Sequence, residues 1–302
     1  MKKVALIVLH YRRKDLTEVC LQSLSKLEKK DFSIQIIVVD NLSPEPLGDL
    51  KKKYPQVFYL TNNRNLGFAA GNNVGLKFAL KQKADFFMLL NNDTQIAGDS
   101  LAFLIKAVRD QTGGGIFAPK IYFAPGYEYH QNRYSPSERG RVFWYAGGLI
   151  DWDNILTSHR GVDEVDRGQY DKLQETDFAS GCAFLVKKEV FEKIGLLDER
   201  YFLYLEDVEF CQRAARAGFK TIYVPEAKLY HFNAGSSEVG GALQDYFITR
   251  NRLIFGLKYA PARTKFNLAQ ESIKIGLTGR PWQRRAIRDF YLRKWGKGSW
   301  HD

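Results

Sequence analysis

Short continuous apolar runs recur through the first part of this chain, each followed by a polar or glycine-bearing turn and then by apolar residues at helical spacing. Val4–Leu9 is such a run, and so are Ile34–Val39, Val57–Leu60, Phe86–Leu90 and Ile116–Ile121. Unbroken runs of this length predict strands buried on both faces, as in a parallel sheet. Between them, Leu16, Val19, Cys20, Leu24 and Leu27 repeat at helical spacing, Phe68–Leu80 follows the Gly67 turn, and Leu101–Val108 has the same character. The β-α-β-α succession predicts an α/β fold with helices on both faces of a mostly parallel central sheet. In such a sheet ligands bind beyond the carboxyl ends of the strands, where Asp40 and Asp93 fall.

Phe123–Gln174 departs from this pattern and reads as a long binding loop with short strands at Val142–Tyr145 and Leu149–Trp152. Regular structure resumes at Asp177–Lys187, followed by a helix at Lys188–Ile194. A further helix runs from Glu206 to Ala217 and stops at Gly218. A strand at Thr221–Val224 and a second short one ending at His231 come next, and from Ala242 the chain reads as helices. The domain expectation is a catalytic unit over 1–240, with a nucleotide-binding half (1–121) and an acceptor-side half (122–240), and a helical extension over 241–302.

With 302 residues and a 45% apolar fraction, the chain is long enough for a large core. Lys plus Arg number 45 against 34 Asp plus Glu, a net charge of +11 that points to an anionic partner. Three separated cysteines, Cys20, Cys182 and Cys211, form neither a zinc pattern nor a disulfide framework. The N-terminal apolar run stops too early for a secretory signal, and no segment approaches the roughly 18 apolar residues of a membrane span. A cytoplasmic protein is expected, with peripheral contact at the inner face of a membrane left open.

Four segments carry candidate chemistry. Asp40, at the exit of a strand, is placed to accept from a ribose hydroxyl or a base N–H, or simply to form an Asx turn. Asn62–Gly75 combines Arg64 and Asn65 with several small residues and reads equally as a backbone that approaches an anion at a helix start or as a polar turn ahead of a helix with small packing residues; its glycines fit neither a dinucleotide nor a P-loop signature. Asp93, in Asn91-Asn92-Asp93-Thr94, is suited to Mg²⁺ or Mn²⁺ if a substrate diphosphate and another side chain complete the shell, or else belongs to an ordinary tight turn. Glu206, Asp207 and Glu209 open a helix behind Tyr201, Phe202 and Tyr204; Asp207 is placed as a general base and Glu206 as the group that orients it. The bland reading of these acids is charge complementing a helix dipole. His231, ahead of a Gly-Ser turn, is compatible with metal binding.

Taken in order, Val38-Val39-Asp40-Asn41, Asn65-Leu66-Gly67-Phe68, Leu90-Asn91-Asn92-Asp93-Thr94, Ser180-Gly181-Cys182-Ala183-Phe184-Leu185, Leu205-Glu206-Asp207-Val208-Glu209-Phe210, and His231 with Gly235-Ser236 resemble the family-2 glycosyltransferases of GT-A fold, in the rhamnosyltransferase-like branch. The resemblance spans about residues 3–255. It implies inverting transfer from a UDP- or dTDP-linked sugar to a hydroxyl of a glycan or lipid-linked acceptor, with Mg²⁺ or Mn²⁺ on the diphosphate. It implies Asp93 and His231 as metal ligands and Asp207 as the base. Asp40, Arg64, Asn65 and Gly67 are implied in nucleotide binding, with Tyr11, Asn92 and Gly181 as further substrate positions. Asn91 stands where the fuller acidic motif has Asp, and His10-Tyr11-Arg12 replaces the usual small-polar, Tyr, Asn sequence.

Two other classes compete. A nucleotidyltransferase that makes sugar nucleotides needs a glycine-rich signature near the N-terminus, and Leu9-His10-Tyr11-Arg12-Arg13-Lys14 has no glycine. A nucleic-acid-binding module would account for the charge, but the basic residues are spread and no RNP, KH or zinc pattern occurs; no nucleic-acid partner is expected. Finally, Pro281–Lys297 places Trp282 and Trp295 among six basic residues against Asp289 alone. It reads either as a basic amphipathic helix for an anionic membrane or as a helix docked on the catalytic unit.

Overall fold

The structure, a computed structural model, describes residues 1–28, 31–233 and 241–301; the Gly235-Ser236 pair lies outside them. The first part of the chain runs β1 (Lys2–His10), α1 (Lys14–Ser25), β2 (Phe32–Asp40), α2 (Gly48–Lys53), β3 (Phe58–Thr61), α3 (Gly67–Lys81), β4 (Phe86–Asn91), β5 (Thr94–Ile96), α4 (Ser100–Asp110) and β6 (Gly114–Phe123). The chain continues with β7 (Phe143–Tyr145), β8 (Gly148–Asp151), β9 (Leu156–His159), β10 (Gln174–Glu175), β11 (Ala183–Lys187), α5 (Lys188–Ile194), α6 (Glu206–Arg216) and β12 (Lys220–His231). It then forms α7 (Ala242–Tyr259), α8 (Ala262–Thr278) and α9 (Pro281–Tyr291).

The main sheet has the order β10-β12-β6-β11-β4-β1-β2-β3, with β5 paired to β12 and β7 to β6. β1 pairs parallel with both β2 and β4, which makes it a central strand, and its side chains from Val4 to Leu9 are buried on both faces, which explains the unbroken apolar run. β11 is inserted antiparallel between β4 and β6, with Ala183 opposite Leu90. That reversal brings the start of β11 to the carboxyl end of β4, so Ser180–Cys182 lies beside the acidic loop.

Two expectations need correction, and two short elements went unseen. The two strands predicted around Thr221–Val224 and His231 are one strand, β12, with a register shift between Val224 and Lys228. Pro225, which has no N–H to donate, sits in that irregular stretch. The three-residue β5 and the short α2 have too little periodicity to stand out. The tail helix stops at Tyr291 rather than running to Lys297. Arg293 takes a left-handed conformation, and Arg293 N–H and Lys294 N–H donate to Phe290 O and Asp289 O, closing α9 with a Schellman turn. Beyond it Gly296 N–H donates to Arg200 O, so the chain end is tied to the segment ahead of α6.

The helical extension shares the core. Leu253, Ile254, Phe255 and Tyr259 of α7 and Leu268 of α8 belong to the same buried cluster as the sheet residues. Trp282 packs on Tyr246 and Trp300, and Trp295 packs on Phe290.

Candidate active site

β12 and β4 meet at the acidic loop. Antiparallel pairing of β5 with β12 puts Thr94 opposite His231, and Phe232 N–H donates to Asp93 O at 2.9 Å. This backbone register carries His231 Nε2 to 3.2 Å from Asp93 Oδ1. His231 Nδ1 is buried without a hydrogen-bond partner. A carboxylate only accepts, so in this contact Nε2 carries the ring proton; with no partner on Nδ1, the ring must shift that proton to Nδ1 or release it before Nε2 can offer a lone pair to a cation. Trp144 stands edge-on to His231 with ring centroids 4.5 Å apart and walls this side.

No group of three or more His, Cys, Asp or Glu able to hold a metal occurs among the described residues. The Asp93–His231 pair therefore fits a divalent cation only as two ligands of a larger set, with diphosphate oxygens and water supplying the rest. The nearby thiols are no substitutes: burial pushes Cys20 up to about 12 and Cys182 well above its ordinary value.

Asp207 reaches the same end of the sheet by a different route. Tyr204 and Leu205, neither of them glycine, both take left-handed φ of 70° and 68° just before α6. Asn251, fully buried on α7, holds that turn: its Nδ2 donates to Leu203 O and Tyr204 O, each at 2.8 Å. Asp207 then accepts from Gly181 N–H at 2.6 Å and from Val208 N–H at 2.8 Å. Gly181 lies two residues before β11, next to Asn91, whose N–H donates to Cys182 O. A Cβ on Gly181 would sit 3.1 Å from Phe68 Cζ and 3.3 Å from Asp207 Oδ2, so this glycine keeps the space around the carboxylate open.

Burial raises the pKa of both Asp207 and Glu206, and the charge of Asp207 raises Glu206 further. Glu206 Oε2 is buried with no partner, whereas Asp207 has two backbone donors. The charge therefore resides on Asp207 and the proton on Glu206. The hydrogen bonds that orient Asp207 come from Gly181 and Val208. Glu209 faces elsewhere, in a buried cluster with Arg213, Lys258 and Tyr259. Of the aromatic residues ahead of the helix, Tyr201 and Phe202 are buried, and Phe202 stacks on Phe247 of α7.

At the carboxyl end of β2 the hub is Asn41, which the motif reading did not single out. Its Nδ2 donates to Asn65 Oδ1 and Gly67 O, and its Oδ1 accepts from Asn62 Nδ2 and Leu66 N–H. Asn65 also accepts from Gly67 N–H. Asp40 accepts from the N–H of Ser43, three residues on, at 2.8 Å, so it closes the turn after β2 in a capping geometry rather than as an Asx turn, while remaining half-buried. Gly67 is buried with φ +79°, and a Cβ there would come within 2.3 Å of Phe202 O. It serves to dock α3 on the segment leading to Asp207; Phe68 N–H donates to Phe202 O at 2.6 Å. Arg64 is exposed, and Tyr11 is half-buried under the guanidinium of Arg12.

Asn92 does not point into open space. Its Nδ2 donates to Arg12 O and Thr17 Oγ1, and Thr17 in turn bonds buried His10. This links the acidic loop to the turn after β1, where Arg12 and Arg13 are both left-handed. Burial lowers the pKa of His10, so a neutral imidazole occupies the place of the usual small polar residue.

The strand ends thus bring a cation-type pair and a half-buried carboxylate to one end of the sheet, and similarity to known proteins gives the class. The chain belongs to glycosyl transferase family 2, whose model matches residues 5–195, and it is a glycosyltransferase. It is 26% identical over 241 residues to the low-salt glycan biosynthesis hexosyltransferase Agl10 of Haloferax volcanii, covering 79% of this chain and 68% of that protein. It is 28% identical over 232 residues to the N-acetylglucosaminyl-diphospho-decaprenol L-rhamnosyltransferase of Mycobacterium tuberculosis, covering 72% of each. Among solved structures, GalNAc-T7 with UDP, GalNAc and Mn²⁺ superposes with a TM-score of 0.68 at 15% identity. That match covers 97% of this chain but only 55% of the GalNAc-T7 chain, and it shows the GT-A fold.

Proposed function

We propose that the protein transfers a hexosyl residue, of the rhamnosyl class, from a UDP- or dTDP-linked sugar to a hydroxyl of a glycan or lipid-linked acceptor, with inversion. The single observation that carries this reading is Asp207, held by Gly181 N–H at 2.6 Å on the loop flanking Asp93 and His231. In this reading residues 1–121 hold the nucleotide and 122–240 the acceptor. Asp40, Arg64 and Asn65 bind the nucleoside, supported by Tyr11, Asn92, Gly67 and Gly181. Asp207 takes the proton from the acceptor hydroxyl as that oxygen bonds to the anomeric carbon, and the bond from that carbon to the diphosphate breaks. Burial raises the affinity of Asp207 for the proton, and Glu206, itself protonated, adds no competing charge. Asp93 and His231 would hold a Mg²⁺ or Mn²⁺ ion, which offsets the charge on the departing diphosphate.

The rhamnosyl and lipid-linked parts rest on the name of the Mycobacterium tuberculosis relative, and the cation on the Mn²⁺ bound in GalNAc-T7. No helix among the described residues is long and apolar enough to cross a membrane. The reading has the enzyme act from the cytoplasm on an acceptor presented at the membrane's inner face. The test is release of UDP or dTDP from rhamnose- and hexose-linked donors, with a polyprenyl-diphospho-sugar acceptor and Mn²⁺ or EDTA, followed by NMR of the product. Turnover that needs Mn²⁺ and an inverted anomeric centre are expected. A retained configuration, or full activity in EDTA, sinks the corresponding part of the reading.

A further inference from the structure

The two tryptophans that made the tail look membrane-seeking are turned inward, but a different face of the extension is turned out. On α8, Phe266, Ile273 and Leu277 are 63%, 61% and 73% exposed. At 3.6 residues per turn they lie within about 40° of one another around the helix. Leu268, which fills the space beside Gly256 of α7, is on the opposite side. Most exposed apolar residues of the chain are scattered singly, which is ordinary for a protein surface. These three form one stripe aimed directly away from the protein.

The stripe is bordered by positive charge on both flanks. Exposed Arg263 and Lys274 follow it on one side of α8. On the other side α9 packs against α8, where Tyr291 Oη bonds Ser272 Oγ at 2.7 Å. The outward face of α9 presents Arg284, Arg288 and Leu292, all exposed. From Ala262 to Lys297 the chain has ten Lys and Arg against two acids. Both acids are taken: Glu271 pairs with Arg252, and Asp289 is buried against Tyr246 and Ser299.

We propose that the outer face of α8, with the basic face of α9, docks the enzyme on an anionic phospholipid bilayer. An apolar ridge between two rows of cations matches lipid chains beneath a layer of negative headgroups. A nucleic acid would satisfy the charges and leave the ridge without a partner. The bilayer would present the lipid-linked acceptor proposed above. The docking face deepens that reading, yet it stands on the surface of α8 and α9 and on none of the site residues.

The experiment is co-sedimentation of the full chain with vesicles of phosphatidylglycerol and phosphatidylcholine in equal parts, and with phosphatidylcholine alone, at low and high salt. Two variants accompany it: Phe266→Ser/Ile273→Ser/Leu277→Ser and Arg263→Glu/Lys274→Glu. All these side chains are exposed, and a thermal shift with UDP or dTDP plus Mn²⁺, run on the same samples, reports the donor site separately. The wild-type chain should bind the anionic vesicles at low salt and weaken at least tenfold on neutral vesicles or in high salt. Each variant should lose binding at least tenfold while keeping its nucleotide response. Variants that bind like the wild-type chain, or a wild-type chain that ignores anionic vesicles, overturn the proposal. Self-association that the serine variant abolishes, without vesicle binding, would assign the ridge to a second copy and likewise overturn it. Loss of the nucleotide response in the wild-type chain would count against the donor reading and leave the vesicle result standing.

Discussion

Asp93 hangs from the end of a buried parallel strand, and its neighbour His231 arrives through a few ladder hydrogen bonds between β5 and β12. Asp207 begins a helix whose approach needs two successive left-handed residues, Tyr204 and Leu205. Such conformations cost of order 1–3 kcal/mol each and persist only where the surroundings over-determine them. Here the surroundings are α7: Asn251 bonds both carbonyls of the turn, and Phe247 stacks on Phe202. The first acid is positioned by the sheet and the second by the helical extension. Regions that look like an ancillary tail can therefore carry part of the site.

Substitutions should separate these two modes of support. The largest effect belongs to Asp93→Ala, which should abolish transfer and remove the metal-dependent part of nucleoside-diphosphate binding; donor titrations with and without Mn²⁺ check it. Asp207→Asn should keep donor affinity and lower kcat by ~10²–10⁴-fold, the range for losing a general base. A variant retaining most of its kcat would make Asp207 a helix cap. Asn251→Ala leaves the reacting groups untouched but frees the strained turn. It should lower kcat about tenfold with little change in donor KM, and cost roughly 1–3 kcal/mol of stability for two lost hydrogen bonds. If stability falls and kcat per folded molecule does not, Asn251 is structural only.

The smallest effect is on stability and depends on pH. Glu206 has its folded pKa raised above the ordinary 4.5 by burial and by Asp207. As pH rises through that value the unfolded chain releases the proton and the folded chain keeps it, so wild-type stability declines with rising pH. Glu206→Gln removes the titration. Its Tm relative to the wild-type chain should therefore climb as pH rises above 4.5, the ordinary value of the group, and a flat difference in thermal melts would show that the fold does not raise the Glu206 pKa.

The parts of the molecule legible in the sequence are those dictated by local pattern. Val4–Leu9 and Phe86–Leu90 could only be buried strands, and the acids of Glu206–Glu209 announced a helix start. What escaped depends on residues far apart in the chain. The Thr94–His231 pairing that assembles the candidate cation pair rests on a three-residue strand with no period of its own. Asn41 reads as one more turn asparagine until Asn62, Asn65 and Gly67 fold around it. Asn251, within an ordinary helical stretch, gives no local sign that it holds Leu203 and Tyr204. Trp282 and Trp295 left two readings open for the same reason, because spacing gives the face of a helix but not which neighbour covers it.

The central claim is that the Asp93 side of the cleft serves the donor diphosphate and the Asp207 side serves the acceptor. The most direct measurement is a titration of UDP and dTDP, with and without Mn²⁺, into the wild-type chain, Asp93→Ala and Asp207→Asn. The account predicts that Mn²⁺ tightens nucleotide binding in the wild-type chain and in Asp207→Asn, and has no effect in Asp93→Ala. An equal Mn²⁺ effect in all three, or its loss in Asp207→Asn, would contradict that division of labour.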